Sequence, residues 1–244
     1  MSSTPLLLLS ATTPNRIISS ARSTGFDVII MPPAPGMAAP VAAHPDMLLF
    51  AGFGSLFVRA AHMADENFAR AIHEILLRRP NYKLVETDDT PSDKYPADVC
   101  FNCFVLGNSL ICRADAVSDA IKSAASEAGT SLESMAQGYA KCSCAVINAP
   151  SGDAIISSDL SVIALTERLK IPSLKITPGN ISLPGYDSGF IGGASFYSNG
   201  VLYFLGDYHR HHDGDAIDAF CRSLGIRAES LSDDILFDAG CLCI

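Results

Sequence analysis

The chain has 244 residues, of which 48% are apolar, and carries a formal charge of −9 from 26 acidic and 17 basic side chains. That much apolar material fills one substantial core, so residues 1–244 are read as a single domain. The acidic balance, with no run of Lys or Arg, excludes a nucleic-acid partner, whose phosphates require clustered cations.

At the N-terminus the apolar run Leu6 to Leu9 has no basic residue before it. It is shorter than the core of a signal peptide and far shorter than the roughly 20 residues of a membrane span, so no membrane association is expected. Eight cysteines without a secretory signal read as thiols in a reducing compartment, and a cytoplasmic location is expected.

In chain order, the pattern predicts a strand from Leu6 to Ser10, a helix from Pro14 to Thr24 and a strand from Asp27 to Met31. Five similar segments follow, beginning at Asp46, Asp98, Cys144, Ser188 and Asp234. Each opens with a polar residue, continues with three or four apolar or β-branched ones, and reaches a turn rich in Gly, Asn or Ser. The first four read as β-hairpins, with Gly54, Gly107-Asn108, Ser151-Gly152 and Asn199-Gly200 at the turns.

Behind each of these hairpins the apolar spacing becomes helical, as at Phe68, Ile72 and Ile75, or at Ile217, Phe220 and Leu224. A short extended run then follows: Tyr82 to Glu86, Ser131 to Ala136, Ser173 to Thr177 and Arg227 to Leu231. The last segment has no helix after it, and the first strand has no hairpin before it. The expectation is an α/β chain of five hairpin–helix–strand units, closed into a five-bladed propeller by the N-terminal strand completing a hairpin begun by Ile235 to Ile244.

This order resembles the pentein fold of the guanidino-group-modifying enzymes, with Gly192-Gly193 and Asn199-Gly200 in the fourth unit and a cysteine in the last. The tracts HPDMLLF, SLPGYDSGFIGGASF and LSDDILFDAGCLCI are similar to a bacterial family of that fold without an assigned function. The superfamily includes arginine deiminases, dimethylarginine hydrolases and amidinotransferases.

If the units superpose on their opening residues, Asp46, Asp98, Cys144, Ser188 and Asp234 converge near the axis and face one cavity as substrate-binding groups. The alternative is that each Asp caps a turn or accepts from a backbone amide. No Lys or Arg stands at an equivalent position, so the expected ligand is a small cation.

The resemblance implies that a cysteine of the last unit attacks a guanidinium carbon, which points to Cys241, with Cys243 as the neighbouring thiol. It also implies an acidic residue beside the Gly-Gly pair and a histidine opening the preceding unit. This chain has Ile191 and Ser188 there instead. His44, brought beside the last unit by ring closure, is the candidate proton shuttle.

The run from Asp207 to Asp215, with His209, His211 and His212, lies between a strand and a helix, where capping and solvated residues are ordinary. No metal is expected there, and Cys100 and Cys103 face opposite sides of a strand. No dinucleotide or phosphate-binding loop is present, so no cofactor is expected. Two readings result: a cysteine-dependent hydrolase or transferase acting on a small guanidine or amidine, and a catalytically silent pentein that binds a small ligand or a protein partner.

Overall fold

A computed structural model describes residues 4–244. The chain starts with β1 (Leu6–Ser10), α1 (Asn15–Ser23) and β2 (Asp27–Met31), and continues through α2 (Pro45–Leu48) into β3 (Leu49–Gly52), β4 (Ser55–Arg59), α3 (Ala60–Met63), α4 (Glu66–Arg78) and β5 (Lys83–Thr87). The next unit is β6 (Phe104–Leu106), β7 (Ser109–Cys112), α5 (Asp119–Glu127) and β8 (Ser131–Ser134). It is followed by β9 (Ala145–Ala149), β10 (Gly152–Ser157), α6 (Leu160–Leu169) and β11 (Ser173–Lys175). The chain then forms β12 (Ile181–Ser182), β13 (Ser195–Ser198), β14 (Val201–Phe204), α7 (Gly214–Ser223), β15 (Arg227–Ser230), β16 (Leu236–Phe237) and β17 (Leu242–Cys243).

These strands make small mixed sheets. In four of them a hairpin pairs antiparallel and its second strand pairs parallel with the strand after the helix, as in β3-β4-β5 and β13-β14-β15. Two of the hairpins are tight because both residues of their two-residue turns adopt positive φ, Phe53 (53°) with Gly54 (69°) and Asn199 (50°) with Gly200 (82°), which matches the twist of the flanking strands. Helices start where the sequence supplies caps: Asp65 accepts from the amides of Asn67 and Phe68, and Asp159 from those of Ser161 and Val162.

The fifth sheet joins the two ends of the chain. Strand β17 pairs antiparallel with β1, Leu7 opposite Cys243 and Leu8 opposite Leu242, and β2 lies parallel on the other side of β1. The four leucines of β1 are wholly buried because both faces of the strand are covered. Leu6 and Leu8 pack with Met31 and Met47, while Leu7 and Leu9 pack with Ile17, Ala21 and Cys241.

The last segment differs from the expected continuous hairpin. Strand β16 leaves to pair parallel with β12, and only β17 reaches β1. Between them the Asp238 carboxylate accepts from the Gly240 amide at 3.0 Å, and Gly240, at φ +56°, turns the chain.

Arg59, at the end of β4, is wholly buried. Its guanidinium donates to the carbonyls of Met47 and Asp98, both at 3.1 Å, and to the Cys100 thiol at 3.0 Å, and it lies over the Phe101 ring. It thereby ties the first hairpin unit to the second. All eight cysteines are free, and no helix among the described residues is long and apolar enough to cross a membrane.

Candidate active site

A cavity of about 380 Å³ opens where β3, β6, β9, β13 and β17 approach one another, and its walls are largely apolar, with Phe50 and Phe101 among them. Its polar wall carries Asp46, Lys141, Ser195 and Cys241. Of the seven residues expected from sequence, Cys241 and Asp46 line this space. His44 is buried behind the wall, and the other four do not line it.

The Cys241 side chain is wholly buried, with its thiol donating to the Ser195 carbonyl at 3.2 Å. Burial is the main reason its pKa is pushed up to about 12; Lys141 opposes that rise, and Asp46, Asp238 and Cys243 add to it. Cys243 lines the same cavity and is pushed up to about 11, again chiefly by burial.

Asp46 lies in α2, where its amide donates to the Gly240 carbonyl at 3.0 Å. One carboxylate oxygen accepts from the Cys142 thiol at 3.0 Å, while the other is buried without a hydrogen-bond partner. His44 is buried with both ring nitrogens unpartnered, and Nδ1 lies 3.8 Å from the Asp238 carboxylate. A Cβ added to Gly240 would sit 2.5 Å from the His44 Cβ and 2.6 Å from the Asp46 carboxylate, so only glycine lets the residue before Cys241 rest on both.

The remaining expected residues lie elsewhere. Asp98 is buried, but its carboxylate accepts from the Tyr139 hydroxyl at 2.8 Å. Asp234 forms an ion pair with Arg16 in a separate surface groove. Cys144 is buried among Phe104, Ile111 and Ile155, and burial pushes its pKa up to about 12. Ser188 donates to the carbonyls of Ile181 and Gly189. The expected five-residue convergence therefore does not occur. The physical reason is register: the polar residues chosen as equivalent stand at different distances from the strands they precede.

Counting back from the strand starts gives another set. Asp46, Cys142 and Gly192 each stand three places before β3, β9 and β13. These three are in contact: the Asp46 carboxylate accepts from Cys142, and the Gly192 amide donates to the Cys142 carbonyl at 2.7 Å. Asn102 completes the group, its amide nitrogen donating to the Asp46 carbonyl at 3.0 Å and its oxygen accepting from the Lys141 and Cys142 amides.

Sequence reading also missed Asp238 and Lys141. Asp238 is buried, accepting from the amides of Phe190 and Gly240, and a Cβ on Gly193 would overlap its carboxylate. Lys141 is the only Lys or Arg in the short tracts leading into these strands, which was the available signal. It stands off the positions chosen as equivalent and places a cation on the cavity wall beside Asp46. Among the described residues, no group of three or more His, Cys, Asp or Glu side chains is placed to hold a metal ion.

Burial raises the Asp238 carboxyl above its ordinary range; His44 opposes this and Asp46 adds to it. The folded state therefore holds this proton more tightly than the unfolded chain does. The stability it contributes is complete below the ordinary carboxylate range and is lost as pH rises through the raised folded value. Urea unfolding followed over a pH series is expected to show that decline, and Asp238→Asn is expected to flatten it; an unchanged slope in the variant would assign the decline to other groups.

The fold is shared with solved enzymes at low identity. Dimethylarginine dimethylaminohydrolase from Pseudomonas aeruginosa, as a cysteine-to-serine mutant complexed with citrulline, matches with a TM-score of 0.59 at 9% identity, covering 98% of each chain. An adduct of dimethylarginine dimethylaminohydrolase with 4-chloro-2-hydroxymethylpyridine matches with a TM-score of 0.59 at 10% identity, covering 98% of this chain and 99% of the other. Agmatine deiminase from C. jejuni matches at 0.57 and 10% identity, covering 99% of this chain and 93% of the other. No curated protein matches the sequence.

The chain is thus a mixed α/β protein with the pentein fold of the guanidino-group-modifying proteins. It belongs to the family of unknown function DUF6873, whose model matches residues 8–243.

Proposed function

We propose that this protein is a cysteine-dependent hydrolase or transferase acting on a small guanidine or amidine compound, and that its three-stranded sheets stand as the blades of a closed five-bladed ring. The observation that carries the reading is that Cys241 and Asp46 line one cavity, so a cation paired with the carboxylate lies within reach of a sulfur. A carboxylate alone keeps the thiol protonated, because a second negative charge nearby is disfavoured. A bound guanidinium reverses that sign, offsets Asp46 and lowers the thiol pKa at the moment its carbon is presented.

In the hydrolytic form, the thiol proton passes to solvent and the thiolate forms a C–S bond to the guanidinium carbon. The leaving amine takes a proton as its C–N bond breaks. Water then adds to the thiouronium carbon, and the C–S bond breaks to release a urea and restore the thiolate. His44, packed on Gly240 behind the cavity wall, acts in this scheme on the placement of Cys241 rather than on the reacting atoms.

Labelling of Cys241 by iodoacetamide is expected to be slow in the free protein and faster with acetamidinium present. Arginine or agmatine is expected to raise the melting temperature, a ligand at 100 times its dissociation constant adding about 2.7 kcal/mol. Equal labelling with and without the amidinium, together with stabilisation by phosphates or dicarboxylates alone, would sink the reading. A second reading, a silent ligand-binding pentein, is favoured by one observation: the thiol is wholly buried and already committed to the Ser195 carbonyl.

A further inference from the structure

Lys141 reaches the cavity from the turn before β9, and its ammonium donates to the Gly192 carbonyl at 2.8 Å. The same double glycine holds the segment that carries the thiol: the Gly193 carbonyl accepts from the amides of Ala239 (3.0 Å) and Cys241 (3.3 Å). Gly192 and Gly193 both donate to the Cys142 carbonyl, and a Cβ on Gly192 would overlap the carbonyls of Lys141 and Cys144. One tightly packed hinge of backbone thus fixes the ammonium and the thiol relative to each other.

We infer that Lys141 is the cavity-facing cation that holds the Cys241 thiolate and passes a proton to the departing amine and back from the attacking water. The inference deepens the proposed reaction and rests on that reading. His44 does not line the cavity, whereas Lys141 does.

The charged and titratable groups whose fields reach Cys241 are Lys141, Asp46, Asp238 and Cys243, of which Lys141, Asp46 and Cys243 share its cavity, and Lys141 alone among them favours the thiolate. The proton count closes on this assignment. The lysine ammonium protonates the leaving amine as the C–N bond breaks, the neutral lysine amine takes a proton from water as the C–O bond forms, and the last hydroxyl proton passes to solvent as the C–S bond breaks, balancing the proton that the released amine takes from solvent to become its ammonium ion.

The test measures the pH dependence of Cys241 alkylation, read on its own peptide by mass spectrometry, beside turnover. Lys141→Gln is expected to slow labelling about tenfold at pH 8, the effect of one unit of thiol pKa. Lys141→Arg is expected to restore labelling to within about threefold while turnover stays at least about tenfold down, because a guanidinium keeps its charge but does not release a proton. A Lys141→Gln labelling profile that superimposes on wild type overturns the inference, as does full turnover in Lys141→Arg.

If wild type turns over no guanidine compound, the proposed reaction fails, while the labelling comparison still decides whether Lys141 controls the thiol. If Lys141→Gln does not fold, iodoacetate and iodoacetamide are compared on the wild-type protein. A dominant ammonium makes the anionic reagent relatively faster at Cys241 than at free cysteine, and a ratio at or below that of free cysteine overturns the inference.

Discussion

Cys241→Ser is expected to leave the fold intact and to lower turnover of a guanidine substrate to below about one thousandth of wild type. The serine hydroxyl keeps the donor that Cys241 offers to the Ser195 carbonyl, and the side chain loses little volume, so urea unfolding should change by no more than about 1 kcal/mol. The chemistry does not survive the exchange. A hydroxyl is a far weaker acid than a thiol, and neither Asp46 nor a bound guanidinium brings it within reach of neutral pH. Steady-state kinetics beside a denaturation curve would separate the two effects. Undiminished turnover in the folded variant would move the nucleophile elsewhere, with Cys243 next to be replaced because it lines the same cavity.

Arg59→Ala is expected to cost roughly 3–5 kcal/mol of stability, the range for emptying a large buried site and leaving buried acceptors unpaired. The substitution strips the Met47 and Asp98 carbonyls of a donor at once and removes the cation lying over Phe101. Met47 follows Asp46, and Phe101 lines the cavity, so the loss falls on the wall that also presents the carboxylate. Urea unfolding of Arg59→Ala and Arg59→Lys would measure it. Lysine keeps the charge but cannot span both carbonyls in a fork, so it should recover only part of the loss. A change below about 1 kcal/mol in Arg59→Ala would show that the two units hold together without this link.

The repeated units were legible because a period of two gives way to a period near four within each, and because turn residues such as Asn199-Gly200 punctuate the hairpins. Strands β1 and β2 have the expected limits, whereas β8 and β11 stop earlier than the sequence suggested, at Ser134 and Lys175. The site was less legible because a ring position depends on the register of each strand, and the polar residue that opens a tract does not mark it. Asp46 was found; Asp234 was chosen where Asp238, four residues on, is buried beside His44. Lys141 was not legible because it lies in the turn four residues before β9, away from the polar residue that opens the tract. Asn102 carries no charge, and only its hydrogen bonds across three segments reveal what it does.

The pairing of β1 with β17 sets an order of events during folding. Leu7 meets Cys243 only after the residues between them have been made, so this sheet closes through a far longer loop than any of the hairpins does. The units between can assemble earlier from contacts close in sequence, but β1 lacks its antiparallel partner until then. Cys241 is among the last cysteines to be made, and its thiol becomes shielded from oxidants only as β17 docks on β1, at about the moment the cavity itself comes into being.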